Sequence, residues 1–235
     1  MARSALLALT LFLLATTAAA DIEGGWTAQY NPRVGKLHLM MNRSATSQMW
    51  LSYTLDELPG LTHAQIESAT QVPVTFRLRP DAGTFAFEGT FRNGRGGGQM
   101  TFTPNRGYAS RIRALGLQLE KGDDAELFRF AALDVSLAYL REMRAIYPET
   151  NLRELSKLKA VGVTPAYLRD MRAVGVHVES ARDARKLAGS GVTPSFVREL
   201  ADAGYRNLST RDLSRLAATG VDSKFIDDMH RKHKH

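Results

Sequence analysis

Three arginines recur at one position in the C-terminal half of the chain. They are Arg141, Arg169 and Arg198, each followed by an acid: Glu142, Asp170 and Glu199. Stacked on one face they would form a cationic stripe for an acidic protein partner or an anionic envelope surface. The competing reading is a solvated face whose arginines pair with acids of neighbouring units, each pair worth under about 1 kcal/mol. Asp227-Asp228 stands at the fourth equivalent place and shortens any stripe. His230, His233 and His235 could ligate a transition metal through their imidazoles, with Asp227 nearby. Arg231, Lys232 and Lys234 interleave them and repel a divalent ion, so a basic tail is the better description and no metal is assigned. The glycine-rich stretch GRGGG at residues 94–98 invites a phosphate cradle. Gln99 stands where the last glycine of that motif belongs and no Lys-Ser/Thr follows, so a hairpin loop between two strands is expected.

Enzymatic templates are not matched. There is no G-x-S-x-G elbow, and the chain has no cysteine, which removes thiol nucleophiles, Cys-ligated metals and disulfides. His38 and His63 stand alone in the sequence. Asp123 and Asp124 are adjacent at an expected helix start, where they favour the helix dipole. No catalytic residue and no cofactor is assigned, and the chain is expected to be non-enzymatic. A site assembled from distant residues of the N-terminal half leaves a hydrolase as an alternative. Of the 235 residues, 31 are Lys or Arg and 24 are Asp or Glu, a net charge of +7. Residues 1–103 carry 8 basic and 7 acidic side chains against 23 and 17 in the remainder, so the excess lies in the C-terminal part. It is spread too thinly for a nucleic-acid patch.

The elements that would position these residues fall into two halves with different apolar periods. From Gly25 to Thr103 the period is two, as in Trp26–Tyr30, Lys36–Met40, Met49–Tyr53, Val72–Leu78, Thr84–Phe91 and Gln99–Thr103. Six short aromatic-rich strands separated by turn residues predict an antiparallel meander, either a sheet or a small barrel, with a short helix between residues 56 and 69. Beyond Thr103 the period is helical and the chain repeats itself. Tyr139, Tyr167, Phe196 and Phe225 are spaced 28, 29 and 29 residues apart. They can be core positions or line an aromatic groove, and helical spacing beside Leu140, Leu168, Val197 and Ile226 favours the core.

The punctuation repeats as well. Ser136, Thr164, Thr193 and Asp222 stand at expected N-caps of a first helix, Pro165 and Pro194 at the position after, and Gly175 and Gly204 at its end. Asn151, Ser180 and Ser209 open a second helix in each unit, the latter two with an Asp three residues on. Thr103-Pro104 is read as the opening of a degenerate first unit that Gly116 closes. Helix pairs this short cannot bury a face alone, so they must stack. The units fall near residues 103–133, 134–161, 162–190, 191–219 and 220–235, and the β-domain is expected to cover one end of the stack.

The first twenty residues read as a secretory signal peptide: Arg3, an uncharged apolar run over residues 5–15, and Ala18-Ala19-Ala20 before Asp21. The mature chain is therefore expected to be exported, periplasmic or extracellular, with cleavage near Ala20-Asp21. The unit GVTPSFVRELADAGY from Gly191 resembles a repeat of bacterial secreted and envelope proteins that runs roughly G-V-T-P-E-Y-V-R, also found beside antirepressor-type membrane metallopeptidases. The resemblance spans residues 134–229. It implies a helical repeat and brings no catalytic residues, since H-E-x-x-H is absent.

These readings combine into an α+β protein: a β-rich domain at residues 21–102 and an α-solenoid-like helical-repeat domain at residues 103–235. Its expected role is an exported scaffold or regulatory protein of the bacterial envelope. The expected partner is a protein, conceivably of the membrane, met through a repeat face carrying Arg141, Arg169 and Arg198. A binding module for an anionic glycan or lipid surface is the alternative.

Overall fold

The computed structural model describes residues 21–44 and 47–220. The expected signal peptide, the unit after Gly220 with Phe225, and the histidines of the tail lie outside the described residues.

The first half is a sheet of six antiparallel strands, β1 (Ile22–Asn31), β2 (Lys36–Ser44), β3 (Ser47–Tyr53), β4 (Val72–Leu78), β5 (Gly83–Arg92) and β6 (Arg95–Pro104), in the order β3-β2-β1-β6-β5-β4. It is an open sheet with β3 and β4 at its edges, so the barrel alternative is set aside. The apolar alternation seen in the sequence points one way. Trp26, Leu37, Leu39, Met41, Phe76, Phe85, Phe87, Phe91 and Phe102 are all buried on the inner face. A 3-10 turn (Leu55–Glu57) and a short helix, α1 (His63–Glu67), cross between β3 and β4 and add Leu58, Leu61 and Ile66 to that core.

The glycine-rich stretch is not a loop. Only Asn93 and Gly94 form the turn, both with positive φ (49° and 76°), as a two-residue type I′ hairpin requires. Gly96, Gly97 and Gly98 continue as strand β6. The reason is packing. A Cβ on Gly98 would lie 2.6 Å from the Gly89 Cα, and one on Gly96 would lie 2.6 Å from the Phe91 ring. Trp26 lies over this bare backbone, its indole N–H donating to the Glu88 carbonyl at 3.1 Å. Its ring meets Phe76 edge-on at 5.3 Å.

The second half contains, among the described residues, eight helices: α2 (Gly107–Arg113), α3 (Asp124–Ala132), α4 (Leu137–Ile146), α5 (Leu152–Ala160), α6 (Pro165–Ala173), α7 (Ala181–Gly189), α8 (Pro194–Asp202) and α9 (Thr210–Ala218). The expected caps are in place. Side-chain oxygens of Ser136, Asn151, Thr164, Ser180, Thr193 and Ser209 each accept the backbone N–H three residues on. Pro165 and Pro194 open α6 and α8, where no N–H is needed. The Asp of the capping pair is too short to reach the cap backbone and accepts the cap hydroxyl instead, as Ser180 donates to Asp183 at 2.7 Å. Gly175 and Gly204 end α6 and α8 at φ of 84° and 94°.

One expected cap fails. Thr103-Pro104 ends β6: Thr103 pairs with Thr84 and Pro104 with Gly83. Proline is tolerated there because it is the last residue of the ladder. Helix α2 starts three residues later, with Arg106 in the cap position and no side-chain cap bond. The 29-residue spacing holds from α4 onward, and α2 and α3 serve the sheet. Phe128 of α3 enters the inner face, its ring 5.2 Å from both Phe85 and Phe102.

One continuous cluster of buried residues runs from Trp26 through Val163 to Ala184, joining sheet and first helices. Several polar bonds cross that seam. Asp81 accepts the Leu137 N–H at 2.8 Å, and the buried Tyr108 hydroxyl donates to the Val135 carbonyl at 2.7 Å. A second cluster, containing Met171, Leu187, Val192, Leu200 and Leu213, belongs to the distal repeats.

Candidate functional site

Two surfaces collect the chemistry of this chain. The first is on the repeats. Arg141, Arg169 and Arg198 are all exposed on successive first helices α4, α6 and α8. Arg169 reaches back to Glu142 at 3.7 Å, and among the described residues no ion pair holds Arg141 or Arg198. Other ions bridge neighbouring units: Arg185 to Glu154 at 3.4 Å, Lys159 to Asp134 at 3.2 Å, and Arg153 to Glu120 at 3.7 Å. Glu154 also accepts from Lys157 at 2.6 Å, and that hydrogen bond holds its carboxyl below the usual carboxylate range. Part of the basic excess is thus used within the array.

Between consecutive first helices the surface opens into grooves. Ile146, Pro165, Leu168, Arg169, Arg172 and Val178 line a groove of about 190 Å³. Val174, Val197, Ala201 and Asn207, each 28 or 29 residues further on than Ile146, Leu168, Arg172 and Val178, line part of a second of about 230 Å³. The groove is a property of the repeat. The first carries two arginines on its rim and an Ile146 that is 42% exposed.

The repeated aromatics are packing residues with one polar anchor each where a hydroxyl exists. Tyr139 is buried and donates to the Leu155 carbonyl at 2.9 Å, and Tyr167 donates to the Val192 carbonyl of the next unit at 3.0 Å. Phe196 has no hydroxyl and packs on the distal cluster. Burial pushes the Tyr139 and Tyr108 phenols well above their ordinary range, and those of Tyr147 and Tyr167 up to about 12. They are structural donors at neutral pH.

A buried carboxylate that the sequence did not single out has a similar structural role. Glu126 of α3 accepts the backbone N–H groups of Glu120, Lys121 and Gly122 at 3.1, 2.9 and 2.8 Å. It folds the preceding loop onto the helix start. Asp123 caps the same helix, accepting the Glu126 N–H at 2.8 Å, as its place in the sequence implied.

The second surface is the outer face of the sheet, opposite the buried aromatics. Its strand partners form rows. One row runs Ser52, His38, Gln29, Arg95, and the next Trp50, Met40, Thr27, Gly97. Thr27, Gln29, His38, Trp50 and Arg95, with the backbone of Ala28 and Gly96, line an open trough of about 610 Å³. Trp50 is 68% exposed. The sequence held the signal for this face in its phase: Met49, Leu51 and Tyr53 alternate with Trp50 and Ser52, and only the first set is drawn toward the core.

His38, isolated in the sequence, meets Ser52 across the β2–β3 pair, Nδ1 to Oγ at 2.8 Å. That is the separation of a base and a nucleophile. Hydrolysis also needs a group to orient the imidazole and donors for an oxyanion, and among the described residues no carboxylate hydrogen-bonds the pair. His63 sits apart, its ring 5.5 Å from Tyr30. Among the described residues no cluster of three or more His, Cys, Asp or Glu could hold a metal ion, and no helix is long and apolar enough to cross a membrane.

Compared with known proteins, the chain matches no family model, and neither the curated proteins nor the solved structures hold a match to it.

Proposed function

We propose that this is an exported, non-enzymatic interaction protein whose helix pairs present a recurring groove to a protein partner in the bacterial envelope, a membrane protein among the candidates. The observation that carries this reading is the repetition of the groove at Ile146–Leu168–Val178 one unit further along, at Val174–Val197–Asn207. Stacked repeats build extended surfaces from rigid elements. Here the rigidity comes from a side-chain cap at the start of every helix from α3 to α9. Arg169 and Arg172 at the rim of the first groove suit a segment that carries apolar side chains and an acid. Export rests on the signal-like sequence ahead of Asp21.

The test is site-specific cross-linking in the native envelope, with a photoreactive residue at Ile146 and the same protein carrying Leu168→Asp and Arg172→Glu. A discrete adduct formed by the first and lost in the second, with unchanged circular dichroism, supports the reading. An adduct that persists unchanged, or none at all, refutes it.

A further inference from the structure

The outer trough of the sheet carries features that neither folding nor the helical face uses. A large indole at 68% exposure is costly on a solvated pleat unless it is covered some of the time. Trp50 stands on edge strand β3 and forms one wall of the trough, while Arg95 forms the opposite end on β6. They are three strand spacings apart, roughly 14 Å at about 4.8 Å per strand. The floor between them is low: Gly97 occupies the place beside Thr27 in the Trp50 row, and Gly96 contributes only backbone. The trough is therefore a flat, polar-floored slot with an aromatic plate at one end and a cation at the other.

The electrostatics have one sign. Arg95 stands directly opposite Arg92 on β5, a like-charge pair that weakens the hairpin. Arg92 is drawn aside, its Nε donating to the Ala69 carbonyl at 3.2 Å. Among the described residues Arg95 has no ion pair or hydrogen bond, so its planar fork of donors is free for a carboxylate. No acidic side chain lines the trough. His38 contributes a second site: Ser52 engages its Nδ1, which leaves Nε2 for a ligand. Gln29 lies between His38 and Arg95 and offers both a donor and an acceptor.

We propose that this trough is a binding site for an acidic oligosaccharide. One sugar ring lies its C–H face on Trp50, hydroxyls bond Gln29, Thr27 and His38, and a carboxylate further along the chain pairs with Arg95. A saccharide fits better than a protein segment because the wall is one flat aromatic and the rest is short, planar hydrogen-bonding groups. No apolar pocket is present for a side-chain anchor. The site is independent of the helical grooves, being on the other half of the chain.

The experiment uses the full mature chain and tetragalacturonic acid as probe, with a neutral tetrasaccharide and a tetraglutamate peptide for comparison. Binding is read by titration calorimetry and by Trp50 emission in a Trp26-retaining protein. The expected result is binding of tetragalacturonate with a change in indole emission. Affinity should fall at least tenfold in Trp50→Ala and in Arg95→Gln, and should weaken with salt. Both residues lie outside the core, so melting temperatures serve as the control for folding. Leu168→Asp, which disrupts the helical groove, should leave this binding unchanged. Three results overturn the proposal: no binding of tetragalacturonate, binding indifferent to both substitutions, or equal binding of the neutral sugar. Tighter binding of the peptide also overturns it and gives the trough to a protein ligand.

Discussion

Phe128 decides whether sheet and repeats are one folding unit. It sits on α3, is 4% exposed, and meets the rings of Phe85 and Phe102 edge-on, each at 5.2 Å. The Arg43 guanidinium lies 5.9 Å from the centre of its ring. Phe128→Ala removes two edge-to-face contacts of about 0.5–1.5 kcal/mol each, on top of the transfer and cavity costs. The total expected from large-to-small changes of this kind is about 3–5 kcal/mol. With a urea dependence of roughly 1–3 kcal/mol per molar, the midpoint should fall by about 1 M or more. Two probes separate the halves. Trp26, 1% exposed, reports the sheet by fluorescence. Far-ultraviolet circular dichroism is weighted to the helices. Because the same buried cluster contains Trp26 and Leu158, the Phe128 substitution should move both transitions together. Leu200→Ala, in the distal cluster, should move the circular dichroism and leave the Trp26 transition in place. If Phe128→Ala moves only the helical signal, the shared core does not act as one unit and the reasoning fails.

Three further outcomes follow from the geometry. Gly98→Ala drives a Cβ into the Gly89 backbone under Trp26, whereas at Gly97 the nearest atom is 3.3 Å away; the first should lower stability by about 1–3 kcal/mol and the second far less, measured by thermal melts. Ser180→Ala removes the acceptor for the Asp183 N–H and should cost about 1 kcal/mol, while Gly175→Ala forces a side chain onto a φ of 84° and should cost about 1–2 kcal/mol, both read in the circular dichroism transition. Tyr147 and Tyr167 have folded-state pKa values raised to about 12 from the usual 10, so their contribution is complete below pH 10 and is lost as pH rises toward 12. Urea stability should therefore decline above about pH 10, and phenolate absorbance should appear together with unfolding; tyrosines that ionise near pH 10 in the folded protein would contradict this.

The repeat was legible because it is written in local chemistry. A Ser, Thr or Asn that must satisfy an orphan N–H, a proline that needs no donor and a glycine at positive φ act within four residues of one another. Their spacing marks each helix of the array from Ser136 to Thr219 without knowledge of any partner. Even so, Asp134 takes the positive φ (49°) that Gly162 and Gly191 take in later units, a substitution that their alignment alone leaves invisible. The β-strands were legible for the same reason, since alternation is a one-dimensional signal that sorts Trp26, Leu37 and Phe85 to one face.

What local chemistry could not specify is what lies across from a residue. Thr103-Pro104 has the letters of a helix opening, yet the ladder to Gly83 and Thr84 claims it, because pairing with a distant strand outweighs a local cap. The three glycines of β6 have the letters of a loop, yet the ring planes of Trp26 and Phe91 need the space above them. His38 found Ser52 only through the β2–β3 register, and Trp50 and Arg95 share a trough only because four strands align them in adjacent rows. The sequence by itself determined the elements, their caps and the two halves, since those depend on neighbours along the chain. The open sheet, the core shared between sheet and helices, and the solvent-facing trough were decided by tertiary structure, since register and cross-strand partners exist only once the chain has folded.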